Sequence, residues 1–191
     1  MIKIPIGISG RHVHVTKDTL IQLFGPDYEL TFFKSLSQPG QFAANEKVKL
    51  ISPSGKELDN VRILGPVRKF NQVEISNSDA IRGGFTAPVR SSGDVRGSGR
   101  CTIVGPAGAV RLPDGVIIAD RHIHITPALA LLYEVKDGDR VKLRVAGAKG
   151  ATLNNVLIRV SEQYALEAHL DTDDGAALML VTGVEGFLSK R

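Results

Sequence analysis

Short runs of β-branched and aliphatic residues recur along the chain, separated by glycine, proline, asparagine or aspartate. The runs either alternate with polar residues or are wholly apolar, and both patterns are typical of β-strands bounded by turns. An alternating pattern predicts a further strand at the N-terminus, beginning at Ile2. The other predicted strands are Val48–Ile51, Val61–Leu64, Thr102–Val104, Val116–Ala119, Val141–Val145 and Val156–Val160.

Helical patterns are few and short. Thr16 precedes the run Lys-Asp-Thr-Leu-Ile-Gln-Leu-Phe, which ends at Gly25, so it predicts an N-capped helix with a glycine stop. Thr126 and Pro127 precede Ala-Leu-Ala-Leu-Leu-Tyr in the same way, with proline at the first helical position. The sequence therefore predicts a mainly β protein with a few short helices.

An internal repeat indicates the domain organisation. The sequence Arg-His-Val-His-Val-Thr at 11–16 recurs as Arg-His-Ile-His-Ile-Thr at 121–126, an offset of 110 residues. Val-Lys-Leu at 48–50 recurs at 141–143 with an offset of 93, and Asn-Val at 60–61 recurs at 155–156 with an offset of 95. The smaller offset means that the first half carries 17 extra residues, which we place around Gly25–Gln41.

The repeat predicts two related β units, residues 1–85 and 101–191, each with one His-x-His motif. Residues 86–100 connect them, and this segment is rich in glycine, serine and arginine from Pro88 to Arg100. We leave open that the N-terminal strand of one unit packs in the other.

Composition narrows the functional class. The 191 residues are 42% apolar and 23% charged, as in ordinary globular proteins, and the net charge of +4 is spread along the chain. A single cysteine excludes a disulfide framework and a cysteine-rich zinc finger. With no tryptophan, no apolar run near about 18 residues and no leader pattern, we expect a cytoplasmic chain without nucleic-acid or membrane partners.

The histidines are the first candidate site. In a strand, residues two apart share a face, so each His-x-His pair projects two imidazoles together while the intervening valines or isoleucines face the core. An offset of 95 also places Glu74 opposite the remaining histidine. The candidate metal ligands are therefore His12, His14, Glu74, His122, His124 and His169.

A lone histidine in a protein is more often a polar residue with ordinary hydrogen-bond partners than a metal ligand. Two His-x-His pairs in equivalent positions of a repeat favour a metal-binding role. Five imidazoles and one carboxylate exceed the needs of one tetrahedral ion and suit two ions with three protein ligands each. Sites with fewer than four protein ligands keep an open position, which indicates catalysis. Without thiolates, Zn²⁺ is favoured, with Co²⁺, Mn²⁺ or Fe²⁺ as alternatives.

Arg68 is the candidate anion-binding residue. If residues 68–74 form an unbroken strand, Arg68 shares a face with Glu74. Its counterpart in the repeat is Gln163, so the arginine belongs to one half only, as a substrate-facing residue would. A guanidinium beside two metal ions can clamp phosphate, while the alternative is an exposed arginine at a strand edge.

Three further residues have structural interpretations. Arg11 and Arg121 alternate with the histidines and so point away from them, which predicts that they brace the backbone or pair with carboxylates. Cys101 is interpreted as a buried or spectator thiol instead of a nucleophile.

Several motifs together resemble one known family, the PduL-type phosphotransacylases (phosphate propanoyltransferases). The resemblance extends over essentially the whole chain, and the paired Arg-His-x-His blocks with Gln-Pro-Gly-Gln-Phe-Ala are its most specific part. The motifs that carry it begin at Ile4 (IPIGISGRHVH), Leu36 (LSQPGQFA), Ile63 (ILGPVR), Gln72 (QVEIS), Ala87 (APVR) and Val116 (VIIADRHIH).

The resemblance implies two β-barrel units capped by short α-helices, with a two-zinc site between them. It implies interconversion of acyl-CoA and phosphate with acyl phosphate and CoA. The same six residues would bind the two zinc ions, Arg68 would bind phosphate, and the residues near CoA would be Ser9, Lys34, Arg62 and Leu64.

The chain departs from the family in two places. Family members that enter bacterial microcompartments carry an N-terminal targeting extension, whereas this chain begins at its first strand, so we expect a cytoplasmic location. The segment Asp173-Asp174-Gly175-Ala176 lacks an asparagine that the family places near CoA. A homo-oligomer is compatible with the sequence.

The residues favour direct attack of phosphate on the thioester, since no Ser–His–Asp signature or reactive cysteine supports an acyl-enzyme. Three other protein classes share features with this sequence. A cupin would need a glutamate a few residues after the second histidine, which neither Asp18 nor the helix after His124 supplies. A metallo-β-lactamase-like hydrolase would need His-x-His-x-Asp-His, and this chain has Thr16 and Lys17 where that motif has aspartate and histidine. A non-catalytic metal-binding β protein would lack open coordination and a nearby anion-binding arginine.

Overall fold

The computed structural model describes residues 2–189. They form fourteen strands and four short helices. The strands are β1 (Ile2–Ser9), β2 (His12–His14), β3 (Phe32–Ser35), β4 (Phe42–Ile51), β5 (Glu57–Gly65), β6 (Gln72–Glu74), β7 (Val89–Arg90), β8 (Gly99–Val104), β9 (Ala109–Ala119), β10 (His122–Ile125), β11 (Arg140–Val145), β12 (Ala151–Val160), β13 (Glu167–Asp171) and β14 (Glu185–Ser189). The helices are α1 (Lys17–Phe24), α2 (Asn77–Gly83), α3 (Pro127–Leu132) and α4 (Thr172–Leu178).

Each helix follows a strand of the repeat and begins at a capping residue. The Thr16 hydroxyl accepts a hydrogen bond from the Thr19 amide, and Thr126 caps α3 through the Leu129 amide. These caps satisfy amide groups that have no partner inside the helix. Both predicted helices are confirmed, and Gly25 ends the first with a φ of 108°.

The described residues divide into two compact units. The first unit comprises Arg11–Leu36 and Gly40–Ala119. Six of its strands pair in a closed ring in the order β4, β5, β2, β6, β9, β8 and back to β4, while β3 pairs with β4 and β7 with β9 at its margins. Its core is an apolar cluster that includes Val13, Val15, Leu50, Ile63 and Ile103.

The second unit comprises the chain up to Gly10, Ser37–Pro39, and the chain from Asp120 onward. Its six strands form a closed barrel in the order β1, β13, β10, β12, β11, β14. The core of this barrel contains Ile4, Ile6, Ile123, Leu143 and Ile158, none of which is exposed to solvent.

The two rings share one pairing scheme. The strand of each His-x-His motif pairs in parallel with the long strand that contains the asparagine of the repeat, as β2 with β5 and β10 with β12. It pairs antiparallel on its other side, as β2 with β6 and β10 with β13. The mainly β class, the two barrel units and the internal duplication are thus confirmed.

The leading strand of each repeat completes the barrel of the other. β1 precedes β2 in the chain but pairs with β13 and β14 in the second unit. β9 precedes β10 but pairs with β6, β7 and β8 in the first unit. The boundaries of the compact units therefore differ from the sequence-based division at 85 and 101. β1 and β9 each belong to the unit in which they pair, and not to the unit whose histidine pair follows them in the chain.

The αL position after α4 offers a test of stability. Gly84 ends α2 with a φ of 65°, and its counterpart Met179 ends α4 with a φ of 54° while its side chain lies mostly in solvent. A side chain with a Cβ is strained in this conformation, whereas glycine is not. We expect Met179→Gly to raise the free energy of unfolding by about 0.5–1 kcal/mol in urea denaturation.

Met179→Ala is the matched control, because it removes the methionine side chain but keeps the Cβ. It should give no stabilisation. Equal stabilisation by alanine and glycine would show that the exposed thioether, and not backbone strain, limits stability at this position.

Candidate functional site

The first unit gathers the first histidine pair with Glu74. β2 carries His12 and His14, and β6 runs antiparallel beside it with Glu74 directly opposite His12. Both imidazoles are buried, and His12 Nε2 lies 3.5 Å from Glu74 Oε2. One ligand atom from each residue lies within 4.8 Å of the others.

The second unit repeats this arrangement with a histidine in place of the glutamate. β10 carries His122 and His124, and His169 on the antiparallel strand β13 lies directly opposite His122. The ligand atoms of these three imidazoles again lie within 4.8 Å of one another. The offset of 95 that relates Glu74 to His169 in the sequence therefore corresponds to the same register in the two barrels.

Backbone carbonyls hold one ring nitrogen of two of these histidines. His14 Nδ1 lies 3.3 Å from the Leu64 carbonyl oxygen, and His122 Nδ1 lies 2.7 Å from the Asp120 carbonyl oxygen. Metal-binding histidines typically use one nitrogen for such a contact and the other for the ion. The donor set, the spacing and these contacts all fit a divalent cation in each group, and nitrogen-rich donors without thiolates favour zinc or a similar transition metal.

Glu74 is held in place by a neighbouring amide and by the glycine-rich segment. Gln72 is fully buried, and its Nε2 donates to Glu74 Oε1 and, at 2.8 Å, to Ser92 Oγ. The Gly93 amide donates to Gln72 Oε1 at 2.7 Å, and the Ser92 hydroxyl also donates to Glu74 Oε1. The connection between β7 and β8 thus orients the carboxylate of the first group.

Burial keeps His14 neutral. Desolvation, followed by the charges of His12 and Arg68, lowers the pKa of His14 to about 3, although Glu74 and the Leu64 carbonyl act in the opposite direction. A neutral imidazole is the form that binds metal at physiological pH. The lowered pKa therefore suits His14 for a ligand role.

The same shift predicts an acid-sensitive metal-free protein. The unfolded chain binds a proton at this histidine below about pH 6.5, whereas the folded chain does not until about pH 3. The unfolding free energy of the metal-free protein should therefore fall as pH decreases from 6.5, with a slope from this group of up to about 1.4 kcal/mol per pH unit.

Urea denaturation of the metal-free protein at pH 7, 6 and 5 measures this slope. His14→Gln should flatten it, because glutamine does not titrate in this range. An unchanged slope in the variant would assign the acid sensitivity to other groups.

Arg68 does not lie on a strand. The predicted strand over 68–74 is wrong in its first half, since β6 begins only at Gln72. Residues 66–71 instead form an irregular connection that begins at a proline and runs past the end of β2, where the Arg68 amide donates to the Val15 carbonyl at 2.8 Å. Because Val15 directly follows His14, this hydrogen bond brings Arg68 near His14, and the charge of Arg68 lowers the pKa of that histidine.

Three of the residues assigned to CoA lie in the first unit. Lys34 is exposed on β3, and Arg62 on β5 donates to the Ala44 carbonyl while its guanidinium lies 4.4 Å from the centre of the Phe33 ring. Leu64 contributes the carbonyl that contacts His14. The fourth, Ser9, ends β1 in the second unit opposite Asp171.

The two arginines beside the histidine pairs form ion pairs. Arg11 lies 3.1 Å from Asp79 in the first unit, and Arg121 binds Asp174 through two nitrogens at 2.7 and 2.6 Å in the second. Asp79 and Asp174 are also related by 95 residues. The expected pairing with carboxylates is confirmed.

Cys101 has the properties of a structural thiol. It is buried in the core of the first unit, and burial raises the pKa of its thiol to about 12. A thiol that stays protonated at neutral pH is a poor nucleophile.

Two residues that contact the group of His122, His124 and His169 were not singled out from the sequence. Tyr164 stacks on His124 with the ring centres 4.0 Å apart. Glu167 lies directly opposite His124, with its Oε2 2.9 Å from His169 Nε2. The offset of 95 pairs Glu167 with Gln72, so the repeat contained a signal for this carboxylate.

Among residues 2–189, no helix combines the length and the apolar character needed to cross a membrane.

Known proteins that this chain resembles share one name, and the similarity extends over most of the chain. The model of the phosphate propanoyltransferase family matches residues 5–181. A phosphate propanoyltransferase of Thermotoga maritima is 52% identical over 93% of this chain and 85% of its own length. Similar proteins of the same name occur in Lachnoclostridium phytofermentans, at 47% identity over 94% of this chain and 84% of its own, and in Salmonella typhimurium, at 45% over 91% and 82%.

Proposed function

Because the chain belongs to the phosphate propanoyltransferase family, and so is an acyltransferase that works between coenzyme A and phosphate, we propose that it interconverts a short-chain acyl-CoA and phosphate with acyl phosphate and CoA using two zinc ions per chain. The observation that carries the metal part is the pair of three-residue groups, His12-His14-Glu74 and His122-His124-His169, each with two buried histidines and a half-buried third residue. Each group offers three protein ligands and so leaves a coordination position for substrate.

When bound, such ions act as Lewis acids that polarise a carbonyl or stabilise a leaving thiolate. The protein's part is to hold the ligands rigidly. The carbonyls of Leu64 and Asp120 orient His14 and His122, and Gln72 orients Glu74. Rigid ligands keep the geometry of the site constant through the reaction, which lowers the reorganisation needed in the transition state.

Arg68 is the proposed phosphate-binding residue and the proposed catalytic residue. The charge of Arg68 lowers the pKa of His14, so its guanidinium lies close to the first metal-binding group. A phosphate dianion bound beside His12, His14 and Glu74 would therefore contact both β2 and this guanidinium. A guanidinium presents two parallel donors that match two phosphate oxygens. Arg68 would thereby position phosphate and offset part of its negative charge as it approaches the thioester carbonyl.

The proposed reaction is a direct displacement. A phosphate oxygen forms a bond to the thioester carbonyl carbon, the carbon–sulfur bond breaks with its electrons going to sulfur, and the thiolate takes up the proton that phosphate loses. An acyl-enzyme is not invoked, because the pKa of Cys101 is raised to about 12.

The CoA moiety is proposed to contact Ser9, Lys34, Arg62 and Leu64. Lys34 is a solvent-exposed cation, and the guanidinium of Arg62 lies against Phe33, whose ring is about half exposed. Cations beside exposed aromatic rings suit a ligand that carries phosphates and a planar base.

A thiol-release assay tests the function directly. Acetyl-, propionyl- and butyryl-CoA are each incubated with the zinc-loaded protein, with and without phosphate, and free CoA thiol and acyl phosphate are measured. We expect equal amounts of thiol and acyl phosphate, only when phosphate is present.

Thiol release without phosphate would instead indicate a hydrolase. A protein that binds metal but releases no thiol under either condition would be a metal-binding module.

A further inference from the structure

The second unit contains a buried carboxylate beside its metal-binding group that the proposed reaction does not use. Glu167 is 9% exposed and lies on β13 two residues before His169, so both side chains share one face of the strand. Its counterpart in the first unit is Gln72, which orients Glu74. The repeat thus places an orienting side chain at the same position in both units.

The carboxylate of Glu167 is held from two sides. Its Oε2 lies 2.9 Å from His169 Nε2 and accepts a hydrogen bond from the Ser37 hydroxyl. Gln38 anchors this contact, because its side-chain amide donates to the Ala165 carbonyl at 3.1 Å and accepts from the Ala165 amide at 3.2 Å. Residues 37 and 38 lie in the segment 25–41, where we place the 17 extra residues of the first repeat, so that segment supplies the partners of Glu167.

A glycine provides the space for the carboxylate. A Cβ on Gly7 would lie 2.8 Å from the carboxylate carbon of Glu167, so any larger residue there would displace it. Gly7 is on β1, which borders β13 on the side opposite β10. Glu167 is not part of the group whose ligand atoms lie within 4.8 Å of one another, which makes it a partner of His169 and not a fourth ligand of the group.

We propose that Glu167 is a positioning residue that holds Nε2 of His169 and leaves Nδ1 as the ring nitrogen that binds the cation. In the present structure the two atoms are at ion-pair distance without the alignment of a standard hydrogen bond, and a cation on the opposite nitrogen would fix the ring against Glu167. This inference rests on the proposed metal-binding function.

The assignment also gives the two units matching charge. The first group has one carboxylate as a direct ligand, Glu74. The second group has three imidazoles and no carboxylate among its members, and Glu167 supplies its one carboxylate through His169. A carboxylate on the remote nitrogen makes an imidazole a stronger ligand, so both cations would be held beside one negative charge.

Chelator competition on the zinc-loaded protein tests the proposal. In the parental protein, two ions per chain are expected. Glu167→Gln should weaken one of the two ions by about 10- to 100-fold and leave the other unchanged. The matched control is Glu162→Gln, an exposed glutamate in the preceding turn, which should leave both affinities at the parental value.

Ser37→Ala gives a second measurement at an exposed position, so that a folding defect in Glu167→Gln does not decide the outcome. Loss of its hydrogen bond to the carboxylate should weaken the same ion by about threefold to tenfold. Cobalt-substituted protein adds a spectroscopic readout, since the absorption of one Co²⁺ should change in Glu167→Gln while that of the other does not.

Parental affinity for both ions in both variants would overturn the role of Glu167 while leaving the metal sites intact. A parental protein that binds no divalent cation would instead overturn the proposed function itself. The two failures are therefore distinguishable by the metal content of the parental protein.

Discussion

Removing the proposed metal ions with a chelator at neutral pH is expected to lower phosphate-dependent release of CoA by at least about 1,000-fold. Lewis-acid stabilisation is worth several kcal/mol of the barrier, and each 1.4 kcal/mol corresponds to a factor of ten. Neither Cys101 nor Arg68 replaces this contribution, because the thiol stays protonated and the guanidinium offers only a fixed charge. The measurement is the rate of thiol release before and after dialysis, with metal content determined in parallel.

Readdition of cations provides the controls. Zn²⁺ or Co²⁺ should restore the rate, whereas Mg²⁺ should not, because it prefers oxygen ligands and five of the six proposed ligands are nitrogens. His169→Ala and Glu74→Ala should each retain one ion per chain, since the two groups share no ligand. A metal-depleted preparation that keeps the parental rate would rule out a catalytic role for the ions.

Replacing Arg68 with alanine is expected to lower kcat/KM for phosphate by about 30- to 1,000-fold. The change removes a charge-assisted contact to a dianion in the transition state, which corresponds to about 2–4 kcal/mol. Metal content should stay at the parental value because Arg68 is not in either ligand group. KM for the acyl-CoA should change little, so the loss is confined to the phosphate-dependent constants.

Two variants sharpen this result. Arg68→Lys should recover only part of the rate, because an ammonium keeps the charge but lacks the planar pair of donors. Lys69→Ala removes the adjacent exposed cation and should leave the rate unchanged. If Arg68→Ala and Lys69→Ala behave alike, the anion site belongs elsewhere, with Lys34 and Arg62 as the next candidates.

Much of the architecture was predictable because local and repeated signals agree. The strand runs were flanked by turn residues, and the threonines before α1 and α3 act as the predicted caps. The offset of 95 identified His169 as the counterpart of Glu74, and the strand register gives the two residues equivalent positions. These inferences needed only period-two alternation and the assumption that equivalent sequences fold alike.

Other features depend on long-range pairing, which the sequence pattern does not encode. The alternation rule failed at Arg68 because the chain leaves the sheet between β5 and β6, where the Arg68 amide donates to the Val15 carbonyl. The exchange of β1 and β9 could be left open from the sequence but not decided, since both strands are contiguous with the histidine pair that follows. Ser37 was missed because its partner, Glu167, is 130 residues away.

The exchanged strands also impose an order on synthesis. Every strand of the first barrel lies between residues 12 and 119, so a nascent chain can complete that barrel while the rest is still on the ribosome. The second barrel must wait, because Ile2 of β1 pairs with Leu188 of β14. Until then β1 is an unpaired edge that a chaperone or a neighbouring chain could bind. The first strand to be made is thus among the last to be paired.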